Sequence, residues 1–309
     1  MEAAVVVLRW VQYAASFVLA GGALFALYAL PARGPSSAAA MAWPRRVLAG
    51  SAAILLLATA LGLSAQTAVV AGSLSAALAP ATLASVLTDM AMGPASVARG
   101  LSAALALGLL LAKRPGTPAW VASSSLGAVA TASLAWMGHG AATEGAGSLI
   151  HLAADIAHLA AAAVWIGAIV FFLILARLAD GTDADGLGAF HDALAGFSGI
   201  GSALVAVLLA TGLVNSGFLV GMAGLPGLFT TLYGRLLLLK LLVFAAMLVL
   251  AAANRFRLTP ALRGALDDPD RAAAAVVALR KSLALETGAA LAVLALVAWL
   301  GRLAPLSSL

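Results

Sequence analysis

The feature that most limits the folds open to this chain is a succession of long apolar runs, most of them near the length a helix needs to cross a bilayer. A hydrocarbon span takes about 20 residues at about 1.5 Å each, and such runs lie at about 5–30, 47–65, 96–112, 119–137, 149–176, 199–220, 235–253 and 283–303. Strand alternation is absent, so a closed barrel is not the expected solution to the backbone hydrogen-bonding problem in lipid. Only 9% of the 309 residues are charged and 63% are hydrophobic, against about 25% charged in a soluble domain. The expected fold is an all-α polytopic membrane protein, a bundle of eight transmembrane helices forming one integral membrane domain over residues 1–309. Ala, Gly and Leu dominate the runs, and small residues let helix backbones approach where lipid supplies no hydrophobic drive to associate.

Charge placement orients the bundle. With eight spans and both termini extracytoplasmic, Arg33, Arg45, Arg46, Lys113, Arg114, Arg177, Arg255, Arg257, Arg263, Arg271, Arg280 and Lys281 fall on the cytoplasmic side, 12 of the 17 basic residues. Arg9, Arg99, Arg235, Lys240 and Arg302 lie within spans or at their outer ends, leaving the outer loops nearly free of Lys and Arg. The uncharged stretch 68–87 would invert this order if it crossed the membrane. It is broken by Gly72 and Pro80, so residues 66–95 are expected as an extracytoplasmic re-entrant or surface helical segment. The net charge of +5 is then a matter of orientation, with the lipid bilayer and not nucleic acid as the partner. The first run, opening on Met1-Glu2 without a basic leader, reads as a retained span. The loop from Asn254 to Ser282 reads as a solvated connector with a short surface helix, and Asp180, Asp183, Asp185, His191 and Asp192 as a solvated turn.

Against this apolar background one stripe carries chemistry. His151, Asp155 and His158 occupy positions i, i+4 and i+7 of the fifth run, which places them on one helix face. An ionisable group within a bilayer costs roughly 2.5–3.5 kcal/mol on insertion scales, so an aligned set points to function. Asp155 and His158 lie about 6 and 10.5 Å deeper than His151 along the helix. The two imidazoles are too far apart to seize one ion from a single helix, so either another helix completes a site or the stripe is a pathway. Lys240 is expected at nearly the depth of Asp155, where the two could pair, and Asn215 could join the same polar layer. Arg235 is expected at the outer edge of span seven, and Glu286 near the inner surface, most simply in an interfacial salt bridge near Arg280 and Lys281, with an exit-side ligand or proton acceptor as the other reading.

The same outer side gathers His139 and Glu144, the Met90-x-Met92 pair and Met222. Thioether and imidazole together favour copper among the common metals. The chain has no cysteine, which excludes disulfides, thiolate metal sites and CxxC redox chemistry. No nucleophile elbow, phosphate loop or HExxH motif occurs, so an enzyme is not expected.

Taken in order, the run Gly138-His139-Gly140-Ala141, the segment His151-x6-His158 continuing through Trp165 to Gly167, the run Thr211 to Asn215, the run Thr231 to Arg235 with Lys240, Asn254-Arg255 with Pro260, and Arg280-Lys281-Ser282 with Glu286 resemble the copper resistance protein D (CopD) family. The resemblance covers roughly residues 130 to 305, giving a CopD-like region at 131–305 after the first four spans and the 66–95 segment in 1–130; those spans resemble the family mainly in hydropathy. It implies a multi-pass bacterial inner-membrane protein that takes copper from periplasm toward cytoplasm, in copper homeostasis or resistance. A separate periplasmic CopC-like carrier would deliver the metal. Carried onto matching positions, it makes His139, His151, His158 and Asp155 the copper path, with Lys240 and Asn215 as supporting polar groups. Met90 and Met92 are added on ligand chemistry alone. The alternative is a haem-binding membrane oxidoreductase, since His followed by Trp-x-Gly in a span also resembles the HemJ type. Two histidines on one helix face cannot, however, ligate opposite faces of one haem.

Overall fold

The computed structural model describes residues 1–29, 42–77, 79–112, 116–138, 140–143, 145–179 and 184–308. Long helices follow the apolar runs: α1 Glu2–Tyr28, α2 Ala42–Ala71, α3 Met92–Ala112, α4 Thr117–Ala132, α5 Ser148–Leu178, α6 Ala184–Leu219, α7 Leu232–Ala253 and α8 Pro269–Leu300. Among the described residues seven of these are long and apolar enough to cross a membrane by themselves. The remaining one, α4, has 16 residues and continues into a tighter 3₁₀ stretch, Ser133–Met137.

Several helices outrun their apolar segments, so the connector expected between Asn254 and Ser282 keeps its short helix, Thr259–Arg263, but is confined to a turn over residues 264–268. Helix α7 passes through a wide π turn, Asn254–Leu258, into Thr259–Arg263. Helix α8 already begins at Pro269, where the Asp268 carboxylate accepts from the Arg271 backbone N–H at 3.1 Å. A side-chain cap followed by proline in the first turn starts a helix whatever its hydropathy. Hydropathy marks the lipid-facing length, and Ala-, Arg- and Lys-rich sequence carries the helix beyond it. Within 66–95, α2 runs on to Ala71 and two short helices follow, Leu74–Ala77 and Pro80–Asp89, resting on α2 and α3. At the exposed end of the second, Asp89 accepts from the Thr88 hydroxyl at 2.7 Å, which holds its carboxyl below the usual carboxylate range.

Helices α1 and α5 form the centre. The Ala163 and Gly167 positions of α5 meet Gly21 and Gly22 of α1 so closely that a Cβ on Gly21 would collide with the Ala163 carbonyl, and one on Gly167 with the Gly21 backbone. This is small-residue packing of membrane helices, and it brings Phe25 edge-on to Phe172 at 4.8 Å between ring centroids. A second interior layer is polar: Arg99 of α3 is 1% exposed and donates to Gln12 Oε1 at 2.6 Å and to Ser133 Oγ at 3.0 Å.

Two contacts define the ends of the bundle. Arg302 lies 3.9 Å from Glu2 and donates to Gln66 at 3.4 Å, so both chain ends and the end of α2 share one end. At the other, Arg45 at the start of α2 donates to the Leu110 and Leu111 carbonyls that close α3, a favourable place for a cation.

Candidate functional site

Helix α5 passes through the interior, so its polar stripe faces protein. A cavity of about 340 Å³ lies along it, bounded by α1, α5, α6, α7 and α8, and His151, Asp155, His158, Asn215 and Lys240 all line it. The supporting groups come from α6 and α7, which the helical spacing of α5 alone could not supply.

His151 is 1% exposed; its Nδ1 lies 2.6 Å from the Thr143 hydroxyl, and its ring stacks on Phe218 at 4.7 Å. One turn deeper, Asp155 Oδ1 accepts from Asn215 Nδ2 at 3.4 Å. The loop before α5 closes over this carboxylate, because a Cβ on Gly140 would stand 2.6 Å from Asp155 Oδ2. Glycine is required there by close approach.

The geometry at His158 fixes its proton. Its Nδ1 lies 2.9 Å from Thr211 Oγ1, while the single hydroxyl proton of Thr211 goes to the Val207 carbonyl at 2.6 Å. The hydroxyl therefore accepts from the ring, which puts the imidazole proton on Nδ1 and the lone pair on Nε2, and the ring also engages the Leu208 backbone carbonyl. A second hydrogen-bonding partner that sets the tautomer is the usual arrangement behind a metal-ligating histidine.

Lys240 lines the cavity without a direct ion pair to Asp155 among the described residues. The pair considered from their similar depth is replaced by two opposite charges facing one space. Among the described residues no three His, Asp or Glu side chains converge on a point where they could hold one ion.

Other expected residues lie elsewhere. Arg235 is exposed at the start of α7 and donates to the Phe229 carbonyl at 3.1 Å. Met90 and Met92 sit beside the short helix Pro80–Asp89 and Met222 is 84% exposed; none lines the cavity. His139 and Glu144 lie outside the described residues, as do Asp180 and Asp183.

Two expectations are corrected. Glu286 forms no interfacial salt bridge with Arg280 or Lys281; it is 2% exposed and accepts from Trp165 Nε1 at 3.2 Å and Asn254 Nδ2 at 2.9 Å. At about 100° per residue, five or six positions put it well round the helix from those cations. His191 is not in a solvated turn but buried within α6, its Nδ1 3.2 Å from the exposed Asp192 carboxylate. Glu286, Asn254 and His191 line a second cavity, of about 560 Å³. Trp165 is the single described residue common to both linings. Sequence reasoning gave Trp165 and Thr211 no role of their own; aromatics and threonines in apolar runs are read as packing until a partner across the bundle is seen.

Residues 1–149 match the family model described as copper resistance protein D-like, N-terminal domain, and residues 191–300 match that of copper resistance protein D. Copper resistance protein D of Pseudomonas syringae pv. tomato is 35% identical over 97% of this chain and 96% of its own length. The chain belongs to the copper resistance protein D family. The inner membrane protein YebZ of Escherichia coli (strain K12) is 35% identical over 56% of the chain and 55% of its own. The copper transport protein CutJ of Bacillus subtilis (strain 168) is 31% identical over 68% of the chain and 39% of its own. No solved structure matches the chain. Within this copper resistance protein D homologue, Asn215, Lys240, Asn254 and Glu286 fall in the second matched stretch, and the His151–His158 stripe lies between the two.

Proposed function

We propose that this protein carries copper across the bacterial inner membrane, from periplasm toward cytoplasm, as part of copper homeostasis or resistance. The observation that carries the reading is one cavity lined by His151, Asp155 and His158 in succession, with the Nε2 lone pair of His158 left open by Thr211. Neutral imidazole and carboxylate are good ligands for copper ions, and ligands spread along a path suit passage better than storage. The names of the Pseudomonas and Bacillus relatives support copper as the cargo, and that of the Escherichia relative supports the inner membrane.

Eight crossings with both termini outside put the sparsely charged end of the bundle in the periplasm, since short cytoplasmic segments collect Lys and Arg. His151 then lies near the entrance and His158 deeper. Asn215 orients the Asp155 carboxylate. The Lys240 ammonium opposes a long stay of a cation beside Asp155, which favours onward movement. A cation moving inward gains about 2.3 kcal/mol per elementary charge per 100 mV of inside-negative potential, so the membrane itself can drive the step. A CopC-like carrier in the periplasm is the proposed donor, and His139, Met90 and Met92 the proposed first contacts for its metal. Transport, and not catalysis, is the role these groups serve.

The test is copper entry into proteoliposomes carrying an internal copper-sensitive dye. Wild type should accumulate copper, and His151→Ala and His158→Ala should each lose about tenfold or more of the rate while inserting normally. Wild-type rates in both variants would remove the stripe from the mechanism. A Soret band in the purified protein, without copper, would assign the cavity to haem instead.

A further inference from the structure

Behind Trp165 lies the larger cavity, and its polar groups have no part in the path described so far. Glu286 is nearly fully buried, and the two hydrogen bonds that reach its carboxylate come from neutral donors, the Trp165 indole and the Asn254 amide. Holding an ionised carboxylate in the interior costs several kcal/mol unless opposite charge compensates it. The side-chain oxygen of Asn254, a residue 9% exposed, has no hydrogen-bond partner among the described residues. A buried carboxyl group and an adjacent acceptor left open form a pair of oxygen donors that a cation can take up as it displaces the acid's proton. Asn254 opens the π turn of α7, and such local widening of a helix recurs at functional sites.

We propose that this inner cavity is a second cation-binding station in series with the first, where the Glu286 carboxylate and the Asn254 side-chain oxygen receive the metal once the Trp165 indole swings aside. Trp165 packs edge-on against Phe244 at 6.0 Å and is the described residue shared by both linings, so these rings form the wall between the compartments. The indole N–H is spent on Glu286 while the wall is closed; a cation at the carboxylate competes with that hydrogen bond and favours the open position. Arg255, Arg263 and His191 also border this cavity. Arg255 is drawn to the rim by the Ser202 hydroxyl and by the Phe256 ring, 5.0 Å from its guanidinium carbon. Cationic groups at the rim keep retention weak, as release requires, since a conduction site must bind well enough to be entered and loosely enough to be left.

The inference rests on the copper reading, and the test separates the two. In proteoliposomes, Glu286→Gln should keep copper binding to the His151–His158 cavity within about twofold yet lose about tenfold or more of the flux, with Glu286→Asp restoring part of it. Glu286→Gln flux at the wild-type level overturns the inner station alone. Absence of copper binding and flux in wild type overturns the transport reading and the station with it. The chain contains no cysteine, so single cysteines report the wall without copper present. A membrane-impermeant maleimide should label Ser216→Cys from one face and Ala252→Cys only from the other, and Trp165→Ala should make both reachable from both faces. Labelling of the two from the same face in the presence of Trp165, or sidedness unchanged by Trp165→Ala, would overturn the wall.

Discussion

Thr211→Val tests the assignment of the His158 proton. Valine fills almost the volume of threonine but cannot accept a hydrogen bond, so the Nδ1–H that sits 2.9 Å from Thr211 Oγ1 loses its acceptor. An orphaned buried donor costs about 1–3 kcal/mol. The ring escapes most of that penalty by moving its proton to Nε2, which consumes the lone pair that metal binding needs. Before copper can bind, the unfavourable tautomer must be restored, and the affinity should fall by about 10- to 100-fold, or about 1.4–2.8 kcal/mol. The measurement is a titration of detergent-solubilised protein with copper against a chelator of known affinity, paired with nitrogen NMR of the imidazoles to read the tautomer. Thr211→Ser, which keeps the oxygen, should bind like wild type. A Thr211→Val protein of unchanged affinity, still unprotonated at Nε2, would refute the role given to Thr211.

Gly140→Ala should weaken copper binding by about tenfold without unfolding the bundle, because the new methyl collides with the Asp155 carboxylate; the same chelator titration reads it. Gly167→Ala should cost about 1–3 kcal/mol through overpacking against the Gly21 backbone, read as a lowered thermal midpoint in detergent. Gln12→Leu should destabilise the protein more than the double replacement Gln12→Leu/Arg99→Met. The single change leaves one N–H of the buried Arg99 guanidinium without its acceptor at a cost of about 1–3 kcal/mol, whereas the double change removes the charge as well; thermal unfolding of both variants checks the order.

Much of the architecture is legible in the sequence because burial in lipid imposes a single rule. Apolar runs mark the helices, and helical spacing puts His151, Asp155 and His158 on one face. Helix ends are less legible, since caps such as Asp268 and helix-compatible charged residues carry α8 well beyond its apolar run. Glu286 illustrates the harder case. Its nearest cations in sequence are Arg280 and Lys281, but its partners are Trp165 and Asn254, 121 and 32 residues away. The depth of a residue along its own helix can be counted, whereas the direction in which that helix turns its faces depends on every neighbour.

By itself the sequence determined the class of fold, the stripe on the fifth helix and its neighbourhood in a membrane interior, because these follow from hydropathy and from a fixed rotation per residue. Only the tertiary structure decided that Asn215 and Lys240 face that stripe, that Thr211 leaves His158 Nε2 open, and that Trp165 stands between two cavities. Those relations are made between helices, where close packing of small residues such as Gly21 and Gly167 sets which faces meet.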